Sequence, residues 1–215
     1  MSETKTNLTL LIAGLLALII GLGVFNYNSH RKNMPVEEQL QQATYLYDQQ
    51  VAIPKFNFID QHGQAFTHAH IQDQWTLWFF GFTHCPDICP MTLATLTHSL
   101  NLIEEQQSID DIKIVFISVD PGRDNPEQIN RYVTGFHNNI IGASGYDEQL
   151  ALFLKNMGII ATINKDEKNL DDYQVDHSSA LYLIAPNTAI SAVFNTPHDA
   201  KKISQDIITI REHFK

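Results

Sequence analysis

The first feature of the hydropathy pattern is a run of 18 uncharged residues, Leu8 to Phe25, rich in Leu, Ile, Ala and Gly. It meets the lower length for a helix that crosses a bilayer. From Ser29 to Gln50 the chain turns polar, with Gln39, Gln41, Gln42, Gln49 and Gln50 and room for a short helix over Val36 to Tyr47. This stretch reads as a solvated stalk without chemistry. Phe56 to Asp60 then alternates, Gln61-His62-Gly63-Gln64 supplies a turn and Ala65-Phe66-Thr67 resumes, which predicts a short hairpin. Trp75 to Phe82 is nearly continuous in apolar residues, as a strand covered on both faces should be. After Met91, residues Leu93, Leu96, Leu100 and Ile103 recur at helical spacing.

Ile112 to Val119 predicts a second buried strand, ending in Asp120-Pro121-Gly122. A helix is expected over Pro126 to His137, with Pro126 in its first turn and Asn125 as its cap, and another over Tyr146 to Met157. A polar segment, Asn164 to Asp172, leads to Tyr173-Gln174-Val175. Leu181 to Ile184 and Ala189 to Phe194 read as a hairpin turning at Pro186-Asn187, and Ile203, Ile207, Ile210 and Phe214 mark a final amphipathic helix. Strand, helix, strand, helix, hairpin and helix make an α/β sandwich around a central mixed sheet. The expected organisation is a membrane anchor over residues 1–28, a stalk over 29–50 and one thioredoxin-like domain over 51–215.

Length and charge narrow the field. At 215 residues, 44% of them hydrophobic, the chain holds one well-buried domain and little more. A formal charge of -10, from 14 Lys and Arg against 24 Asp and Glu, excludes a nucleic-acid partner, whose phosphates need a basic surface. No small-x-small cleavage pattern follows the apolar run before Asn26-Tyr27-Asn28-Ser29, so it reads as an uncleaved anchor rather than a signal peptide. Arg31 and Lys32 after the span, against Lys5 and Glu3 before it, place the following domain in the cytoplasm by the positive-inside rule. The cysteine chemistry suits a compartment outside the cytoplasm.

The two cysteines of the chain, Cys85 and Cys89, lie four residues apart in His84-Cys85-Pro86-Asp87-Ile88-Cys89-Pro90, where the first buried strand gives way to a helix. Thioredoxin-like folds crown a sheet edge with reactive sulfurs at such a junction. A two-residue spacer is usual for dithiol oxidoreductases, whereas the three-residue spacer here turns two thiolates outward toward a shared ion while leaving a disulfide possible. Two sulfurs need a third ligand, and His177, in Val175-Asp176-His177-Ser178 ahead of a core strand, is the candidate. Thiolates with an imidazole suit copper; zinc is the alternative metal, but no fourth ligand is evident. His68 and His70, one residue apart on a strand, offer a weak surface metal site, but no third ligand lies nearby in sequence and they read as surface residues; His84 reads as a modulator beside Cys85. His62, His98, His137, His198 and His213 read as surface residues. Asp87 caps the helix or tunes the thiols, and Asp120, Arg123 and Asp124 form an ion pair or dock a partner.

Phe80-Gly81-Phe82-Thr83-His84-Cys85-Pro86-Asp87-Ile88-Cys89-Pro90, then Ser118-Val119-Asp120-Pro121-Gly122-Arg123-Asp124, then Val175-Asp176-His177-Ser178, in this order after one apolar span, resembles the Sco (SenC/PrrC) family of copper proteins. The likeness covers about residues 50 to 213. It implies a thioredoxin-like domain anchored by its amino-terminal helix in the inner membrane and facing the periplasm, or in mitochondria the intermembrane space. The implied task is delivery of copper, as Cu(I) or Cu(II), to the CuA centre of cytochrome c oxidase subunit II, with another copper chaperone as donor. Cys85, Cys89 and His177 are the ligands so implied. A thiol-disulfide oxidoreductase or redox sensor using the same two cysteines is the alternative. Asn187 departs from the family pattern, where a glycine is usual.

Overall fold

The computed structural model describes residues 3–32, 34–46, 49, 51–166 and 169–214; of residues 3–11, 28, 30–32, 147, 165, 166 and 169–172 it describes the backbone only. The chain divides into two units, Met1–Gln39 and Leu40–Lys215. The first consists of helix α1 (Glu3–Lys32) and the single turn α2 (Val36–Gln39). The side chains from Ile12 to Tyr27 are exposed. Among the described residues no helix is long and apolar enough to cross a membrane. The apolar run begins earlier, at Leu8, and the side chains of Leu8 to Leu11 lie outside the described residues.

The second unit is built on an eight-stranded mixed sheet. Its centre is β4 (Trp75–Gly81), β5 (Ile112–Ser118) and β6 (Ile140–Ser144), all parallel. On one side β9 (Leu181–Ile184) runs antiparallel to β4, followed by β10 (Ile190–Phe194) and β1 (Ala43–Tyr45). On the other, β2 (Asn57–Asp60) joins β6 and pairs with β3 (Ala65–Thr67) as the expected hairpin. Helices α3 (Ile88–Glu104) and α4 (Pro126–Val133) make the two parallel crossovers, and α6 (Ala200–His213) packs on α3. Helix α5 (Asp147–Asn156) precedes a separate hairpin of β7 (Ala161–Asp166) and β8 (Asn169–His177).

All seven residues of β4 are buried. Successive side chains of a strand face opposite sides of the sheet. Trp78 and Phe80 accordingly meet Phe153 of α5, while Phe79 and Gly81 face Phe116 and the start of α3. The alternation thus delivers the end of β4 to the cysteine-bearing helix. Asn125 caps α4 by accepting the Gln128 N–H at 2.9 Å, with Pro126 in the first turn.

Three expected elements differ from the structure, and one strand, β6, was not anticipated. The stretch expected as a stalk up to Gln50 is in part sheet: Ala43–Tyr45 form an edge strand on β10, fixed by Asp206, whose carboxylate accepts the backbone N–H groups of Gln41, Gln42 and Ala43 at 2.8 Å each. The polar segment after Asn164 belongs to the β7–β8 hairpin, in which Ile163 pairs with Val175. Helix α4 ends at Val133 rather than His137, two residues ahead of Gly135. Strand β6, broken in the sequence pattern by Gly142, carries glycine because α4 lies on it: a Cβ there would sit 2.3 Å from Ile129 Cγ2.

Candidate metal centre

The site forms at the carboxyl ends of β4 and β5. Cys85 lies in the loop after β4, and its backbone N–H donates to the Phe82 carbonyl at 3.3 Å. Cys89 occupies the first turn of α3 and is completely buried, whereas Cys85 is half-exposed; both are free thiols. The Cys89 backbone N–H donates to Cys85 Sγ at 3.4 Å, so an otherwise unpartnered amide of the helix start faces the first sulfur.

His177 reaches this edge by topology. Strand β9 is antiparallel to β4, with Tyr182 opposite Trp78, so residues preceding β9 pass the carboxyl end of β4. His177, the last residue of β8, brings Nε2 within 3.5 Å of Cys89 Sγ across 88 residues of sequence. Its ring stands edge-on to Phe82 and Phe79, at 5.9 and 6.3 Å between centroids. Nδ1 lies 3.1 Å from the Ser178 carbonyl, which can only accept. Nδ1 therefore carries the proton, and a neutral ring keeps its Nε2 lone pair toward the sulfur. Burial lowers the His177 pKa, partly opposed by the Ser178 carbonyl and by Asp176, and so favours the neutral form.

Burial also pushes the Cys89 thiol well above its ordinary range, against a hydrogen bond from the Phe82 backbone; the hydrogen-bonded Cys85 side chain raises it further. Cys89 is thus a neutral thiol touching Cys85 on one side and His177 on the other. Its position depends on Gly81: a Cβ there would lie 2.9 Å from Cys89 Sγ and 3.0 Å from both Phe116 and Phe79. Among the described residues, no group of three or more His, Cys, Asp or Glu side chains already stands in position to hold a metal ion. Cys85, Cys89 and His177 form a chain of contacts through Cys89, a set of two sulfurs and one nitrogen whose donor chemistry is that of a soft cation's ligands.

Two polar clasps hold the flanks. Asp124, only 2% exposed, accepts the Thr83 N–H at 2.8 Å, the Thr83 hydroxyl at 2.6 Å and the Ser118 hydroxyl at 2.6 Å, tying the Cys85 loop to the end of β5. His84 Nδ1 lies 3.5 Å from the same carboxylate, so His84 joins this network. On the other flank Arg123 donates to Asp120 at 2.6 Å and to the Tyr173 carbonyl at 3.0 Å, with its guanidinium 3.6 Å from the Tyr173 ring centroid. The Tyr173 hydroxyl donates to Asp120 at 2.5 Å. The expected ion pair is therefore present, and it fastens β8, which carries His177.

The remaining candidates lie apart. Asp87 occupies the cap position of α3 but makes no capping hydrogen bond through its side chain. His68 and His70 fall on a 3-10 turn rather than a strand, where His68 packs on Phe56 and His70 accepts the Thr67 N–H at 3.0 Å. His62 and His98 are exposed, while His137 is half-buried and accepts the Asn139 N–H at 3.0 Å. His198 and His213, read as surface residues, are half-buried against carbonyls, of Ser179 at 2.8 Å and Thr209 at 2.8 Å. Gly81, Thr83 and Ser118 are parts of the site that sequence reasoning missed. A glycine closing a buried strand was the available signal of close approach.

The SCO1/SenC family model matches residues 45–212. The mitochondrial protein SCO1 homolog 1 of Arabidopsis thaliana is 35% identical over 161 residues, 74% of this chain and 47% of that protein. The SCO2-like protein RP587 of Rickettsia prowazekii is 32% identical over 205 residues, 94% of this chain and 97% of that one. The chain thus spans about half the length of the plant relative and nearly all of the bacterial one. The crystal structure of Arabidopsis thaliana ScoI with copper bound superposes with a TM-score of 0.71 at 33% identity, covering 76% of this chain and all of that one.

Proposed function

Because the chain belongs to the SCO1/SenC family, with the family match running from 45 to 212, we propose that it carries one copper ion on Cys85, Cys89 and His177. Delivery is to the CuA centre of cytochrome c oxidase subunit II. The observation that carries this reading is the 3.5 Å approach of a neutral imidazole nitrogen to a buried thiol whose neighbour is a second, accessible thiol. Loading Cu(I) exchanges the two S–H protons for the metal, and the lone pair of Nε2 completes a three-coordinate site. Cys85, the more accessible ligand, is where an acceptor's thiolate or imidazole enters, so transfer proceeds by ligand exchange from that side. The copper-bound plant relative supports this choice of cargo.

The anchor belongs to the same proposal. The uncharged run from Leu8 to Phe25 tethers the domain to the inner membrane, with the copper site on the periplasmic side. A carboxy-terminal reporter active only outside the cytoplasm supports that topology; activity inside refutes it.

The reduced protein is expected to bind one Cu(I) per chain in competition with a chromophoric chelator. Cys85→Ala and Cys89→Ala abolish binding, and His177→Ala weakens it strongly. Unchanged affinity in His177→Ala refutes the ligand set. A second reading rests on the Cys85–Cys89 contact at a helix start, which suits thiol-disulfide exchange with Cys85 as the attacking sulfur and Cys89 as the resolving one. Turnover of a disulfide substrate that is indifferent to His177→Ala, without tight copper binding, favours that reading.

A further inference from the structure

His198 stands between β10 and α6 and reaches the segment that follows His177. Its Nε2 lies 2.8 Å from the Ser179 carbonyl, which can only accept, so Nε2 carries the proton and Nδ1 the lone pair. Nδ1 is buried and, among the described residues, has no hydrogen-bond partner. A buried acceptor without a donor is costly and calls for an explanation. The ring is nonetheless firmly seated. Gln42 holds the backbone on both sides of it: its Nε2 donates to the carbonyls of Asn195, at 3.0 Å, and of Pro197, and its Oε1 accepts the Asp199 N–H at 3.3 Å. Asp199 then caps α6 by accepting the Lys202 N–H at 3.0 Å.

The segment after His177 is fixed from its other end as well. The Ser178 N–H donates to the Ile160 carbonyl at 2.9 Å, and the Ser178 hydroxyl accepts the Ile160 N–H at 3.2 Å. Between these anchors and His198 lies one peptide plane, which carries the Ser178 carbonyl 3.1 Å from His177 Nδ1. A peptide unit turns as a rigid plane about the dihedrals on either side of it. Held at the Ser178 N–H and at the Ser179 carbonyl, this unit is kept from turning, so its carbonyl stays on Nδ1 and Nε2 stays toward Cys89. We propose that His198 is a positioning residue of the metal centre, which aims His177 by holding the Ser179 carbonyl. The contact is kept despite the unpartnered Nδ1, a local conflict of the kind that marks function rather than stability. The proposal rests on the copper reading only for its effect on metal affinity; the aim of His177 is a property of the apo protein.

His198→Leu removes the donor, and His198→Gln keeps one, since the glutamine amide nitrogen takes the place of Nε2. Nitrogen NMR of the reduced apo protein, with the His177 ring assigned by its loss in His177→Gln, reads the tautomer directly. The parent and His198→Gln should show His177 protonated on Nδ1. In His198→Leu the two ring nitrogens should shift toward the average of both tautomers. His198→Leu should melt at the parent's temperature or higher, because a buried unsatisfied nitrogen has gone, so the change is not one of folding. Cu(I) affinity should fall by about tenfold in His198→Leu, the lower end for loss of a partner that orients a ligand, and recover in His198→Gln. Unchanged His177 nitrogen shifts in His198→Leu overturn the proposal whatever happens with copper. Equal changes in both variants overturn it too, because the donated hydrogen bond is then not the cause. Shifts that move in His198→Leu alone, in a protein that binds no copper, sustain it and refute the carrier function instead.

Discussion

Substituting Gly81 with alanine tests how tightly the site is built. The added methyl meets three groups at once: Cys89 Sγ at 2.9 Å and ring carbons of Phe116 and Phe79 at 3.0 Å. Both rings are fully buried, so neither can swing into solvent. Overpacking of this kind costs about 1–3 kcal/mol. Roughly 0.5–1 kcal/mol returns because glycine inside a strand is itself unfavourable. The net loss is about 1–2 kcal/mol, a fall in melting temperature of about 5 °C for a domain of this size. The cheapest relief is rotation of Cys89 about its single χ angle, which carries the sulfur away from its place 3.5 Å from His177 Nε2. Cu(I) affinity should therefore fall by at least about tenfold, the equivalent of 1.4 kcal/mol, on top of the stability loss. Thermal melts of the reduced apo protein and chelator competition measure the two effects separately. A melting temperature within about 1 °C of the parent, with copper affinity unchanged, would refute the reasoning.

Asp124→Ala leaves the Thr83 N–H and two hydroxyls without their acceptor, and should cost about 3 kcal/mol in urea unfolding. Asp124→Asn, whose amide oxygen still accepts the Thr83 N–H, should cost about 1 kcal/mol; equal losses would show that the clasp is not made through that amide. Loading the buried neutral Cys89 thiol releases a proton, so apparent Cu(I) affinity should rise by at least about tenfold per pH unit around neutrality. An affinity flat with pH would mean the sulfur is already ionised. His177 has a folded pKa below its unfolded value, so it binds fewer protons folded than unfolded on the acid side. Its contribution to apo stability is complete above the ordinary histidine range and is lost as pH falls through the lowered value. His198, lowered by burial in the same direction, adds to that slope. His177→Gln should flatten acid destabilisation in part, and an unaltered acid limb of the melting curve counts against the buried neutral imidazole.

What the sequence disclosed and what it withheld divide along a physical line. The buried parallel strands, the helix after Met91 and the junction holding Cys85 and Cys89 are local patterns: continuous apolar runs, helical spacing and two prolines. They were legible because period alone specifies them. His177 was legible at one remove, since a segment feeding an inner strand antiparallel to β4 has to pass the carboxyl end of β4. Strand β1 was not legible. Its three residues sit among glutamines, and the buried carboxylate that fixes the adjoining chain, Asp206, lies 163 residues from Ala43. Strand β6 was hidden by a glycine whose need comes from α4, and the β7–β8 hairpin by its polar composition, which suits a two-stranded ribbon outside the main sheet.

The same division runs through the site. Ligand types can be read from a motif, but the protonation state of each ligand cannot, because it is set by burial and by partners from other elements. Cys89 is held neutral by burial, and His177 presents Nε2 because the Ser178 carbonyl accepts a hydrogen bond from Nδ1–H. Arg123 braces β8 through the Tyr173 carbonyl, while Asp124 braces the loop of Cys85 through Thr83. Both anchors follow β5, so one short segment, Asp120 to Asp124, holds the two halves of the centre in register. A change there should alter the metal binding proposed for Cys85, Cys89 and His177 without touching any of the three, since it shifts one half of the site against the other.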